Sequence, residues 1–190
     1  MCKDTATADI VYALSPAGSA DAVDQTLSFF RQLTSRLDVA ADRIHVGMVP
    51  KDCVKPPQFN FDRVDTKSNM LAELERYLAA QPTVASVLRY MRRQGFSASK
   101  GGRRDAKKIG ILFVDESDDL MRTKHEARRA RDISDIELFV VAVGKKFNTR
   151  KLRNIASQPT DEHLFIVPSY DHLPGMLRQI QESVCPPVGS

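Results

Sequence analysis

The chain has 190 residues, of which 42% are hydrophobic and 27% charged, enough for one domain with its own core and too few for two of ordinary size. Its longest apolar runs, residues 109–114 and 136–143, fall well short of the roughly 18 residues a membrane-crossing helix needs, so a transmembrane helix is excluded. The net charge is +4, unevenly placed: residues 89–108 and 122–131 carry thirteen Lys and Arg against Asp105 and Glu126, and the remainder is net acidic. Such asymmetry suits a surface facing a polyanion, although charge runs are also common on solvated helix faces.

In chain order, residues 8–14 read as a buried strand, and Val23, Leu27, Phe30, Leu33 and Leu37 then recur at helical spacing in a segment starting near Ser19 or Asp21. Residues 44–49 form the next strand. A loop with Pro50, Pro56 and Pro57 leads to 59–63, a short alternating strand suited to a sheet edge. Leu71, Leu74 and Leu78 mark one helix, and Val84, Val87, Leu88 and Met91 mark another, with Pro82 at the break. After a Gly, Ser and Lys-rich loop at 95–106, residues 109–114 are the best central strand. There follow a basic helix at 121–131, a core strand at 136–143, a short helix at 151–156 and a strand at 164–167. A closing helix carries Leu173, Met176, Leu177, Ile180 and Val184. This alternation predicts an α/β fold: a doubly wound, mostly parallel six-stranded sheet with one antiparallel edge strand and helices on both faces. The expected division is a flank at 1–7 containing Cys2, one domain at 8–185, and a linker or tail at 186–190.

Three cysteines bear on compartment. Cys2 and Cys185 lie at the two edges of the patterned region and read either as a staple, which persists only in oxidising surroundings, or as two reduced thiols. Cys53, in the Pro-rich loop, reads as a free thiol or an intermolecular link. The chain opens Met-Cys-Lys-Asp without an apolar signal region, so for a secreted domain the signal is expected to be removed or to lie upstream.

In an open α/β sheet the working crevice lies at the carboxyl ends of the strands. The loops there lack catalytic sets. The segment Ser15-Pro16-Ala17-Gly18-Ser19 has a single glycine, and neither a phosphate-binding GxxxxGK[ST] loop nor a GxSxG nucleophile elbow occurs. His125-Glu126-Ala127-Arg128-Arg129 has arginine where a zinc-binding helix needs its second histidine. His45, His125, His163 and His172 are scattered over different elements and read as structural or surface residues. No catalytic residue and no enzyme activity are predicted.

Residues 9–14 (Asp-Ile-Val-Tyr-Ala-Leu), the Ser15–Ser19 loop, Val114-Asp115-Glu116, Val141-Ala142-Val143-Gly144 and Leu152-Arg153-Asn154-Ile155-Ala156-Ser157-Gln158-Pro159 together resemble the von Willebrand factor A domain of the extracellular-matrix type. The resemblance runs from about residue 8 to 185 and implies a Rossmann-like fold, a secreted location in extracellular matrix, and a ring closed between Cys2 and Cys185. The family's metal-ion-dependent adhesion site uses an Asp-x-Ser-x-Ser loop, a later threonine and the aspartate of a Thr-Asp-Gly turn. Here that set is degenerate: Ser15 and Ala17 stand at the first two loop positions, Pro82 falls near the threonine, and Ser19 and Asp115 remain. One carboxylate and two hydroxyls are few oxygens for a hard divalent ion, so no cofactor is expected beyond weak Mg2+ or Ca2+ binding, with Thr83, Ser117 and Asp118 as candidates to compensate.

The topology brings the 95–106 loop and the end of the basic helix to one rim, opposite the metal-site face. Arg92, Arg93, Lys100, Arg103, Arg104, Lys107, Arg128, Arg129 and Arg131 are the candidate polyanion-binding residues. The function implied is a non-enzymatic matrix adhesion and scaffolding module, largely metal-independent, binding collagen or another matrix protein, with sulfated glycosaminoglycan as a further ligand. Two alternatives stand behind it: a structural self-association domain joined through Cys53 or its loop, and, ranked last, an intracellular relative that binds nucleic acid with Tyr90 and Phe96 as stacking residues.

Overall fold

The computed structural model describes residues 7–50, 53, 66–79 and 82–185. Five strands form one sheet in the order β2-β1-β3-β4-β5: β1 (Ala8–Ala13), β2 (Ile44–Met48), β3 (Lys107–Asp115), β4 (Ile136–Val143) and β5 (Leu164–Val167). Every pairing is parallel. The described residues thus supply five parallel strands of the expected six-stranded sheet, and the segment 59–63 expected as its antiparallel edge lies outside them.

Period-two alternation builds the two faces of the core. In β3, Ile109, Ile111 and Phe113 point to one side, where they meet Phe29, Phe30 and Leu33 of α1 (Ala20–Thr34) and Leu177 and Ile180 of α7 (Leu173–Val184). Leu112 and Val114 point to the other side, against Leu88 of α3 (Val84–Tyr90), Ala127 and Ala130 of α4 (Thr123–Asp132), and Leu152 of α5 (Thr149–Arg153). With both faces covered, the central strands read as nearly unbroken apolar runs. The remaining helices are α2 (Lys67–Ala79) and α6 (Thr160–His163), and none is long and apolar enough to cross a membrane among the described residues.

Ser19 starts α1: its hydroxyl accepts the Ala22 N–H at 3.2 Å, and the acidic Asp21 sits in the first turn. Thr83 and Ser86 form a reciprocal capping box at the start of α3, which engages the threonine next to Pro82. Past Tyr90 the helix widens into a π turn, Met91–Gly95, that seats Met91 over the sheet. A Cβ added at Gly110 would lie 2.5 Å from the Met91 sulfur and 2.9 Å from Leu138, so this strand position admits only glycine while Met91 is there. Cys185 ends α7 and is disulfide-bonded, while Cys2 lies outside the described residues.

Candidate functional site

Three loops and the segment after β5 meet at the carboxyl end of the sheet. The Asp118 side chain, from the loop after β3, enters the loop after β1. Its Oδ2 accepts the Ser15 hydroxyl at 2.6 Å and the Asp115 N–H at 2.7 Å, and its Oδ1 accepts the Ala17 N–H at 2.9 Å. Asp115 is held equally closely. Its Oδ1 accepts the Ser117 N–H and hydroxyl at 3.0 and 2.6 Å, and its Oδ2 accepts the Tyr170 hydroxyl at 2.9 Å. Burial pushes the Asp118 carboxyl above its usual range, against the lowering pull of its three donors. Burial, and then the Asp115 carboxylate it serves, also hold the Tyr170 hydroxyl firmly protonated. Ser19 does not join this network, because its hydroxyl caps α1.

At the opposite end the predicted basic residues separate by role. Arg103 is an internal clamp: its backbone N–H and its Nε donate to the two oxygens of the buried Asp9 at 2.6 and 2.8 Å, and its Nη2 reaches the Ala8 and Arg43 carbonyls. Arg131 donates to the Asn154 and Ile155 carbonyls, and Lys107 pairs with Glu137 at 2.7 Å. Arg92 and its neighbour Arg89 converge on Glu126, a carboxylate buried in α4, at 3.4 and 3.2 Å. Arg128 pairs with Asp132 one helical turn on. Arg93, Lys100 and Arg104 are exposed, and Arg129 is half-buried. The clefts along this end divide the set again. Lys107 and Arg131 line one of about 430 Å³ together with Asp132, Asp135 and Glu137, whereas Lys100 lines another of about 450 Å³ with Asp9 and His45.

Tyr90 and Phe96 are half-buried and pack on the core rather than forming an open stacking platform. Cys53 is half-buried against the same cluster. His163 is buried, with one ring nitrogen on the Pro159 carbonyl at 2.8 Å and the other on Glu137 at 3.0 Å.

The arrangement of a parallel sheet whose first and third strands end in facing loops has a counterpart in the sequence pattern of the von Willebrand factor type A domain, which matches residues 9–182. The chain belongs to that family. Among its relatives, human Matrilin-1 is 29% identical over 160 residues, covering 83% of this chain and 32% of the relative, and human Matrilin-4 is 27% identical over 168 residues, covering 85% and 26%. The chain thus spans about a third or less of the length of these curated relatives. Among solved structures, proximal thread matrix protein 1 from the mussel byssus, with a zinc-occupied metal-ion-dependent adhesion site motif, superposes with a TM-score of 0.68 at 19% identity, covering 95% of this chain and 48% of that one. BatB from Bacteroides thetaiotaomicron gives 0.56 at 13%, covering 93% and 98%. At these identities the structural likeness concerns the fold alone.

The residues at this chain's corresponding place do not fit a divalent cation. What converges there is the Asp118 carboxylate and its donors: the Ala17 and Asp115 N–H groups cannot ligate a cation, and the Ser15 hydroxyl would have to give up its bond to Asp118 to turn its oxygen to one. The anion present is the Asp118 carboxylate itself, and each of the four carboxylate oxygens of Asp115 and Asp118 already accepts at least one internal hydrogen bond. Among the described residues no three His, Cys, Asp or Glu side chains are grouped as metal ligands. Sequence reading named Asp118 only as a substitute metal ligand and did not single out Tyr170. The signal for Asp118 is its place in Asp115-Glu116-Ser117-Asp118, where an aspartate three residues on can fold back onto the Asp115 N–H. For Tyr170 there is no such signal, since it arrives from 55 residues away.

Proposed function

We propose that the chain is a non-enzymatic extracellular-matrix adhesion and scaffolding module that binds collagen or another matrix protein without a divalent cation. A sulfated glycosaminoglycan is a second ligand, held by the exposed rim cations Arg93, Lys100 and Arg104. The observation that carries the reading is the Asp118 carboxylate, which ties the loop after β1 to the loop after β3 where the family's adhesion site holds its ion. The matrilin relatives support the matrix context, and the ring between Cys2 and Cys185 would suit an oxidising compartment.

The test is solid-phase binding to immobilised collagen and to heparin, with chelator or with added Mg2+, over a salt series. Collagen binding insensitive to chelator and heparin binding that falls with salt are expected. Collagen binding that chelator abolishes and Mg2+ restores would overturn the metal-free reading. For the rim, Arg93→Glu with Arg104→Glu is the informative variant; Arg103 is left intact because reversing it would break the Asp9 clamp.

A further inference from the structure

The most concentrated unpaired positive charge in the described structure is not on the rim. It begins at the other end of the sheet, on the loop after β4, and follows α5, whose last turn leads to the Asn154 and Ile155 carbonyls held by Arg131. Residues 144–159 contain Lys145, Lys146, Arg150, Lys151 and Arg153 and no acidic residue. All five side chains are exposed, and none makes an ion pair among the described residues. On the rim, by contrast, Arg92, Arg103, Lys107, Arg128 and Arg131 are each engaged by an acid or by carbonyls.

The backbone beneath the two lysines is preset. Glu116 Oε2 accepts the N–H groups of Lys145 and Lys146 at 2.8 and 3.1 Å, and Gly144 N–H continues the β5 pairing to the Val167 carbonyl at 2.9 Å. Gly144 has φ +144, and a Cβ there would fall 2.6 Å from the same Glu116 oxygen, so the loop depends on glycine at this point. Glu116 therefore turns its negative charge onto backbone donors, leaving both ammonium groups to solvent. Next to them Asn148 caps α5, where Arg150 and Arg153 lie three apart on one helix face.

We infer that the Lys145–Arg153 strip is a polyanion-binding surface, and that its ligand is a sulfated glycosaminoglycan chain. The inference rests on the matrix-module reading and moves the principal anion surface from the rim to the loop after β4 and α5. A polysaccharide fits better than a protein partner because the strip's apolar members are withdrawn: Leu152 is buried, and Phe147 is half-buried against the core. Within residues 145–153 what remains exposed is charge and polar groups, without the aromatic or aliphatic anchor that centres a protein interface; the exposed Ile166 shares a cleft with Thr149 and Arg153 only at the strip's edge. Sulfates need no such anchor, since Arg and Lys bind them by charge-assisted hydrogen bonds.

The experiment is heparin affinity chromatography, with titration of labelled heparin at about 0.15 M NaCl. Lys145→Glu with Lys146→Glu, and separately Arg150→Glu with Arg153→Glu, are expected to weaken binding by about ten-fold or more, whereas the equally charged control Arg31→Glu with Lys67→Glu changes it by less than about two-fold. Melting curves by circular dichroism check that the variants fold, as expected from side chains without internal partners. Glu116→Ala supplies a readout of opposite electrostatic sign: it removes a negative charge and yet should weaken binding, because it frees the Lys145–Lys146 backbone. Tighter binding by that variant would overturn the positioning role of Glu116. If the strip variants bind like the control while Arg93→Glu with Arg104→Glu loses heparin, the strip is wrong and the rim reading stands. If no variant affects heparin and collagen binding persists, both anion surfaces fall and the matrix-protein reading survives.

Discussion

Asp9 shows how much one residue can organise. It is 4% exposed in a strand that is otherwise apolar, and burying a carboxylate without partners costs several kcal/mol. Arg103 supplies those partners by side chain and backbone together. Asp9→Ala should therefore lower unfolding stability by about 3–5 kcal/mol, read from urea denaturation, because it leaves the part-buried guanidinium without its carboxylate, on two backbone carbonyls alone. In the sequence, residues 8–14 read as a buried strand without regard to what meets the Asp9 charge, and the partner has no local signal, being 94 residues away. A second pair responds to pH. Burial works against ionisation of both Glu137 and His163, but their mutual hydrogen bond outweighs it, with Lys107 helping Glu137 and the Pro159 carbonyl helping His163. The Glu137 carboxyl is thereby held below its ordinary 4.5 and the His163 imidazole above its ordinary 6.5. The raised imidazole contributes stability that is complete below 6.5 and lost as pH rises through its folded value; the lowered carboxyl contributes above 4.5 and loses it as pH falls through its folded value. The pair's contribution is thus greatest between 4.5 and 6.5. Melting temperature followed from pH 6.5 upward should fall more steeply in wild type than in Glu137→Gln.

Local signals set the elements well where period and caps agree. Residues 136–143, read as a strand from their apolar run, form β4 with those bounds, and α1 begins at the residue after its Ser19 cap. Ser19→Ala should cost about 1 kcal/mol of stability by denaturant titration, since the Ala22 N–H loses its acceptor. Elements whose shape depends on a neighbour were less legible. The π turn at Met91–Gly95 was read as the end of an ordinary helix, because nothing in residues 84–95 reveals that Met91 must settle over Gly110. Gly110→Ala should accordingly destabilise by about 1–3 kcal/mol in the same titration, the overpacking cost of pressing a methyl group against Met91 and Leu138. α5 begins at Thr149 rather than Lys151, because Asn148 caps it through the Lys151 N–H.

At the scale of the molecule, the two ends of the sheet divide the chemistry. The amino end consumes most of its charge internally through the Arg103, Lys107 and Arg131 contacts, while the carboxyl end closes its central loops around Asp118 and leaves a strip of cations beside them. On the proposed metal-free reading, Asp118 already ties the loop pair together, so differential scanning fluorimetry should give the same melting temperature with Mg2+, with Zn2+ and with chelator; a rise with either ion would overturn that reading. By itself the sequence determined the α/β alternation, the parallel winding, the two-faced core and the family, because these follow from hydrophobic period and from motifs local in the chain. It also showed that the family's metal loop was altered. Only the tertiary structure decided which partners the altered loop's groups meet and which basic residues face solvent. Those answers depend on pairings between residues tens of positions apart, such as Ser15 with Asp118, Asp9 with Arg103 and Asp115 with Tyr170, and a carboxylate or guanidinium has the same local signature whether it meets a partner or water.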